Sequence, residues 1–451
     1  MPWRFTNWRR QSSACCSSRG SGVPTRCAGG NEESQTRVPG GDAGALQSTE
    51  GYTLRKDRLF QFEFLSLCLI TFLAICNISV FYNLHLYLQH IGLSGKEAGF
   101  IIGLYSLSAM VLYLTASKYI RLNNAIDGMF LGILLVAGCG VAYLFAKTFW
   151  ILVIVRIVNG MGMFLVMASC MVLLVAIIPP KKSGLAFSLY SVALLLPYSV
   201  MPAISELLLP LLGNPTKMYT LSACLLLPAA FLVMGIRTRV RQRFLEMEAK
   251  QGGTSSQNSE WKNLLSKPIL SILLVNCIYF TLFSSLFYLF EGFAVSKGMK
   301  NPGYFFTTQM GVMIVLRLLG GRIFDQFSKV VLVAIALGTT GAGFALLRVM
   351  PDQSWLLSIG ILFGVGMGLC APPLNALMYL NTRPQFRGYN ANMMMFVVHF
   401  GTFTGSFFGS WIIEFGGYNQ FLTFAVIMAV CAAGFFLAVN PAQEISMNSE
   451  N

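Results

Sequence analysis

Residues 156–186 read RIVNGMGMFLVMASCMVLLVAIIPPKKSGLA, and the spacing of the glycines, one methionine and one proline in this stretch recurs later in the chain. Residues 360–390 read GILFGVGMGLCAPPLNALMYLNTRPQFRGYN and repeat glycines, one methionine and one proline at a constant spacing of 204 positions. Matches at one spacing without a gap indicate two copies of one helical unit. The matching pairs are Gly160 and Gly364, Gly162 and Gly366, Met163 and Met367, Pro180 and Pro384, and Gly184 and Gly388.

The composition predicts an all-α integral membrane protein. Of 451 residues, 55% are hydrophobic and 11% are charged, whereas soluble domains carry about 25% charged residues. Apolar runs recur from Leu59 to Val439, and each has about the 20 residues needed to cross a hydrocarbon core of about 30 Å. These runs are continuous, which argues against a β-barrel, because barrel strands alternate over about 10 residues.

The longest polar break in the apolar region divides it into two similar halves. We predict about 12 transmembrane helices in two pseudo-symmetric six-helix bundles, at residues 59–237 and 268–440. A basic cytoplasmic linker at 238–267 joins the bundles. The flanking tails, 1–58 and 441–451, are polar, and the first has the composition of a disordered segment.

The net charge of +14 is distributed unevenly along the chain. Most of the lysines and arginines fall in segments that share one side of the membrane when the predicted helices alternate. Such an excess marks the cytoplasmic side, so both termini and the linker are predicted to be cytoplasmic. Membrane topology therefore explains the charge, and we expect no nucleic-acid partner.

The turn after the eighth predicted helix, Gly321-x-x-x-Asp325 with Arg322, resembles the signature loop of the major facilitator superfamily (MFS). Glycine permits a tight exit from a helix, and Asp325 can face the N-terminus of a neighbouring helix, where negative charge is favourable. The resemblance implies a gating contact that forms in one transport state and breaks in the other. The alternative is a solvated loop charge. The first-half copy has Arg121 in place of the acid, so any such contact is altered there.

Two arginines stand in motifs that also resemble those of this superfamily. Arg156-x-x-x-Gly160-x-Gly162 resembles a motif of proton-coupled efflux members of the superfamily, and Arg317 resembles an arginine found before the signature loop in arabinose-efflux-like members. The resemblance to the family extends over about residues 59–439 and implies the drug and metabolite exporter branch. Arg156 is expected to tune a proton site or to bind an anionic group, unless it snorkels to the outer interface. Arg317 is expected to act either as a structural partner or in transport.

Four glycines form a predicted helix-packing motif, because glycine lets a neighbouring helix approach closely. They are Gly160, Gly162, Gly364 and Gly366.

Glu291 is the best candidate for carrying a proton, because the seventh helix lines the central cavity in the superfamily that the chain resembles. A carboxyl group in a low-dielectric environment can hold a proton near neutral pH. All three acids, Glu291, Glu206 and Glu414, lie near the outer ends of their predicted helices. Exposure to water is the alternative for Glu291 and the expectation for Glu206 and Glu414. The remaining candidates for coupling or substrate contact, with packing as their alternative role, are His85, Asn77 and His399.

No metal site or cofactor is expected. The 11 cysteines form no Cys-x-x-Cys or Cys/His pattern, which argues against zinc or redox chemistry. The chain has no Gly-x-x-x-x-Gly-Lys-Ser/Thr loop, so ATP is not expected to drive it.

The resemblance implies a secondary active transporter: a multi-pass protein of the bacterial inner membrane that works as a monomer by alternating access. Its expected partners are a small organic solute, protons and the lipid bilayer, and proton-coupled efflux, as in an antiporter, is the leading expectation. One alternative is an importer of an organic acid, in which Arg156 and Arg317 pair with substrate anions. A more remote one is a membrane-embedded enzyme or sensor, which would need a cluster of His, Asp or Cys that the sequence lacks.

Overall fold

The computed structural model describes residues 60–178, 183–237, 264–383 and 386–439, and over these ranges the chain is helical without a β-strand. The predicted tails, 1–58 and 441–451, and residues 238–263 of the predicted linker lie outside the described residues. The boundaries of the two predicted bundles therefore stay predictions.

The described ranges contain eleven principal helices, and all but α8 are long and apolar enough to cross a membrane. The predicted all-α membrane architecture is therefore confirmed. The helices are α1 Phe62–His90, α2 Gly95–Thr115, α3 Ala125–Ala142, α4 Phe149–Ile177, α5 Ser183–Leu212, α6 Pro215–Arg237, α7 Lys267–Ser296, α8 Gly303–Leu319, α9 Lys329–Val349, α10 Leu356–Asn381 and α11 Arg387–Val439.

Helix α11 has 53 residues and is interrupted at Gly417, where φ is 73° and ψ is 177°. Glycine adopts this conformation readily, whereas the Cβ of any other residue would clash with the backbone. The arms before and after Gly417 contain the eleventh and twelfth helices predicted from the apolar runs, at about residues 390–413 and 421–439. The count of twelve crossings stays a prediction, since α8 is short and α11 is continuous apart from this residue.

The repeated glycines make equivalent contacts in the two copies. Gly160 of α4 lies against α2, and Gly364 of α10 lies against α8. Gly162 lies against α3, and Gly366 lies against α9. At each position a Cβ would overlap atoms of the facing helix, so glycine sets how closely these helices approach.

Gly160→Leu is expected to destabilise the protein by about 1–3 kcal/mol, the usual cost of overpacking a close contact. A side chain at this position would overlap Ser108 and the backbone carbonyl of Tyr105. The measurement is the melting temperature (Tm) of the purified protein in detergent. Gly138→Leu is the matched control, because Gly138 has open space around it; equal losses in both variants would contradict the prediction.

Candidate functional site

Arg156 is buried in the interior of the helix bundle, with 1% of its surface exposed. Its Nε donates to the carbonyl of Ile101 at 3.3 Å, and its Nη2 donates to the carbonyl of Ile102 at 2.9 Å. Nη1 makes no hydrogen bond of normal geometry within the described ranges. The side chain therefore does not snorkel to the interface.

Aromatic rings surround the Arg156 guanidinium. Its Cζ lies 4.8 Å from the ring centroid of Phe81 on α1 and 5.2 Å from that of Tyr105 on α2. The phenol groups of Tyr143, at the end of α3, and Tyr288, on α7, also interact electrostatically with the guanidinium. Cation–π contacts reach about 2 kcal/mol when desolvated, so the rings stabilise a charge that has no acid beside it. The ion pairs among the described residues are Lys96–Glu414 and Arg237–Asp127, and neither involves Arg156.

Glu291 lies one turn beyond Tyr288 on α7, so the two side chains share a face of the helix. Its Oε2 is buried and has no hydrogen-bond partner in the described part of the chain. The side chains that interact electrostatically with this carboxyl group are Tyr82, Tyr219, Tyr418 and Glu206.

The surroundings of Arg156 and Glu291 are joined by aromatic contacts. The Tyr219 ring lies 4.6 Å from Phe81 and 5.6 Å from Tyr143, centroid to centroid. Its hydroxyl donates to Oδ1 of Asn83 at 2.7 Å. Tyr219 therefore packs on the rings around Arg156 and also interacts electrostatically with Glu291, although the two charged groups stand on different helices.

Asn77 belongs to the Arg156 group through Asn159. The Nδ2 of Asn159, three residues after Arg156, donates to Oδ1 of Asn77 at 3.3 Å. Both amides are buried, with 1% exposure each. Asn77 Nδ2 and Asn159 Oδ1 make no hydrogen bond within the described ranges. The two amides therefore offer one further donor and one further acceptor near the guanidinium.

The two histidines lie elsewhere. His85 is buried beside Gly95, where α1 turns into α2. The ring of His399 stacks on Tyr113 of α2, with centroids 5.1 Å apart and planes 22° apart. His399 thus contributes to the contact between α2 and α11, and neither histidine is grouped with Arg156.

Arg317 forms a separate polar group between α7, α8 and α10. It interacts electrostatically with Tyr279 and Cys370, and its Nε has no hydrogen-bond partner among the described residues. Tyr279 in turn donates to the carbonyl of Met367 at 3.1 Å. Tyr279 precedes Tyr288 by nine residues, which is about 13 Å along α7, so Arg317 is not part of the Arg156 site.

The predicted gating residues lie in the short helix Gly321–Gln326. The side chains of Arg322 and Asp325 fall outside the described part of the structure, as does the burial of Gly321. The gating role of this loop therefore stays a prediction.

Two carboxylates near the outer ends of their helices bind the starts of other helices, and Glu414 is exposed as well. Glu414 of α11 accepts from the backbone N–H of Lys96 at 2.6 Å, and its Oε1 lies 3.8 Å from the Lys96 Nζ. Glu206 of α5 accepts from the backbone N–H of Gly303 at 2.5 Å. A carboxylate at a helix N-terminus is stabilised by unpaired N–H groups and by the helix dipole.

These two contacts join corresponding pairs of helices under the internal repeat, because α5 corresponds to α11 and α8 corresponds to α2, although at the spacing of 204 Glu206 aligns with Ser410. They lie at one end of the bundle, which we call the Glu206/Glu414 end. There Tyr418 of α11 packs on Phe293 of α7 at 5.8 Å, and Phe290 of α7 stacks on Phe305 of α8 at 4.1 Å, centroid to centroid. The sequence gives no signal for either contact, since the bonded residues are 318 and 97 positions apart.

No group of three or more His, Cys, Asp or Glu side chains within the described ranges is arranged to hold a metal ion.

Comparison with known proteins identifies one family. The model described as Major Facilitator Superfamily matches residues 67–401 and 303–449. Multidrug resistance protein MdtH of Yersinia enterocolitica is 34% identical over 132 residues, which are 29% of this chain and 32% of the relative. MdtH of Yersinia pestis matches to the same extent. The chain therefore spans about a third of the length of the curated relatives that it matches.

Solved structures share the fold at low identity. A POT family transporter in complex with a thioalcohol conjugated peptide has a TM-score of 0.68 and 11% identity, over 84% of this chain and 96% of that one. A mutant of the nucleoside transporter NupG has a TM-score of 0.68 and 13% identity, over 84% and 99%. The human organic anion transporter MFSD10 has a TM-score of 0.61 and 16% identity, over 83% and 99%. At these identities the likeness concerns the fold alone.

Proposed function

The chain belongs to the Major Facilitator Superfamily, and on that premise we propose that it exports a small organic solute in exchange for protons by alternating access. The observation that carries the proposal is a pair of opposite charges, the buried Arg156 and the half-buried Glu291, that lack ion-pair partners among the described residues. They stand where helices from both predicted bundles meet. Transporters of this kind place their solute and ion sites at such a meeting point.

Glu291 supports the proton half of the proposal. A carboxylate without a cation partner is costly to keep in the membrane interior, and a bound proton removes its charge. Glu291 is therefore neutral when it holds a proton and negatively charged when the proton has left and solute is bound. A difference of this kind can shift the balance between two conformations.

The Glu206/Glu414 end supports alternating access. On this proposal both termini are cytoplasmic, as the loop charges predict, so this end faces outward and the two contacts close it. The two carboxylate contacts hold elements of the predicted bundles together, so both contacts must break when the outer end opens.

Export rather than import is supported by the partial match to MdtH, which is described as a multidrug resistance protein. Import of an organic acid is the second candidate, and a buried guanidinium on Arg156 without an acid partner among the described residues favours it, because a substrate carboxylate fits a guanidinium. Localisation in a bacterial inner membrane and a monomeric state belong to the same proposal.

The test uses purified protein in liposomes that contain a pH-sensitive dye. A panel of organic solutes is added, and solute-dependent proton flux is expected for at least one of them. Accumulation of that solute in cells that express the protein, compared with cells that lack it, separates export from import. Absence of flux with every solute and both directions of pH gradient would refute the proposal.

A single substitution of Glu206 or Glu414 is expected to destabilise the first turns of both α2 and α8. Charge-assisted hydrogen bonds contribute about 1.5–3 kcal/mol, so Glu414→Gln should speed amide hydrogen exchange at the start of α2 by about tenfold. If the outer end opens as a unit, the same variant also speeds exchange at Gly303, and Glu206→Gln has the reciprocal effect at Lys96. The readout is hydrogen–deuterium exchange by mass spectrometry. Acceleration confined to the substituted contact would mean local fraying and contradict concerted opening.

A further inference from the structure

The two charges of the site have complementary surroundings. Around Arg156, the atoms Arg156 Nη1 and Asn77 Nδ2 are buried and make no hydrogen bond of normal geometry within the described ranges, while the Tyr143 phenol interacts with the guanidinium itself. Both atoms can donate, and no carboxylate of the described residues pairs with the guanidinium. Such donors on and beside a cation match the acceptor oxygens of a carboxylate.

The surroundings of Glu291 have the opposite character. Its Oε2 has no partner among the described residues, and the group that raises the local negative charge is Glu206. The phenols of Tyr82, Tyr219 and Tyr418 complete the titratable groups that face it. A buried acceptor with a second acid nearby and no lysine or arginine in ion-pair range, among the residues described, matches an ammonium group.

The rings of Tyr288, Phe287 and Tyr198, on α7 and α5, form what we call the aromatic wall. Tyr288 interacts with the Arg156 guanidinium and precedes Glu291 by one turn, which is about 5 Å along α7. Phe287 packs edge-on against Tyr198 of α5, with centroids 5.0 Å apart. Rings contributed by several helices suit the faces and edges of another aromatic ring.

We propose that this site binds a zwitterionic aromatic solute, with its carboxylate on Arg156, its ammonium group on Glu291 and its ring against the aromatic wall. This assignment rests on the proposed function and names the solute class for it. An ammonium group and a proton compete for one carboxylate, so solute binding displaces the proton from Glu291. That competition is what exchange of solute for protons requires.

Three benzene derivatives of nearly equal size test the assignment. p-Aminomethylbenzoate carries both charges, p-hydroxymethylbenzoate lacks the ammonium group, and p-aminomethylbenzamide lacks the carboxylate. Their dissociation constants (Kd) for the purified protein in detergent are measured by calorimetry. The zwitterion is expected to bind about tenfold or more tightly than either partner compound, because each loses a charge-assisted contact.

Two variants assign each charge to its residue. Arg156→Gln should remove the preference for the carboxylate over the amide while it keeps the preference for aminomethyl over hydroxymethyl. Glu291→Gln should do the reverse, so each variant serves as the control for the other. Arg348→Gln, at the exposed end of α9, controls for loss of a positive charge and should leave all three affinities unchanged.

Equal affinity for the three compounds, or loss of both preferences in either variant, would overturn the assignment. Binding in detergent requires no gradient and no transport. The expected affinity pattern without proton flux in liposomes would uphold the site and refute the exchange mechanism. Flux of other solutes without this pattern would refute the solute class and leave the transport function intact.

Discussion

Replacing Arg156 with methionine is expected to reduce solute-dependent proton flux by at least about 100-fold, while the Tm of the purified protein stays the same or rises. The buried guanidinium has no acid partner in the described part of the structure, and replacing a buried charge by an apolar side chain of similar size is often neutral or stabilising. Loss of function without loss of stability would mark a residue that is kept for the solute rather than for the fold.

Arg156→Lys sharpens this prediction. Lysine keeps the charge, but its single ammonium group lacks the planar guanidinium with which arginine can bind two backbone carbonyls and a ligand at once. We expect it to restore a small part of the flux and none of the preference for a carboxylate. Normal flux in Arg156→Met, or a large fall in its Tm, would mean that Arg156 serves packing instead.

Glu291→Gln is expected to uncouple solute movement from protons. The amide is nearly isosteric but cannot bind or release a proton over the physiological range. Downhill solute exchange across the liposome membrane should therefore continue with little pH dependence, whereas an imposed pH gradient should no longer drive accumulation. The measurement is radiolabelled solute uptake with and without the gradient.

Asp127→Asn is the control for Glu291→Gln, because Asp127 is an exposed acid that pairs with Arg237 at 3.5 Å. It should leave gradient-driven accumulation intact. Persistent accumulation in Glu291→Gln would move the coupling site elsewhere, with Glu206 as the nearest acid to examine.

Much of the architecture could be read from local sequence. Apolar run length predicts membrane helices because the hydrocarbon core must be crossed and every backbone group satisfied within the helix. The repeated glycines predict close contacts because only the missing side chain allows them, and Gly160 and Gly364 lie at equivalent contacts.

The site could be read only in part. A buried arginine and an acid in apolar helices are conspicuous in sequence, so Arg156 and Glu291 were found as candidates. Arg317, His85 and His399 carry a similar signal, yet they lie in other parts of the bundle. The sequence indicates how far along its helix a residue lies, but it does not indicate which residues of other helices its side chain contacts.

The sequence by itself therefore determined a duplicated, multi-helix membrane protein, the family to which it belongs, and the few charges in its apolar helices. Only the tertiary structure decided which of them come together: the aromatic rings around Arg156, the free oxygen of Glu291, and the carboxylate contacts of Glu206 and Glu414. The physical reason is that helix formation and membrane insertion depend on local composition. Pairing a charge with a ring or a helix start depends on residues brought together from distant parts of the chain.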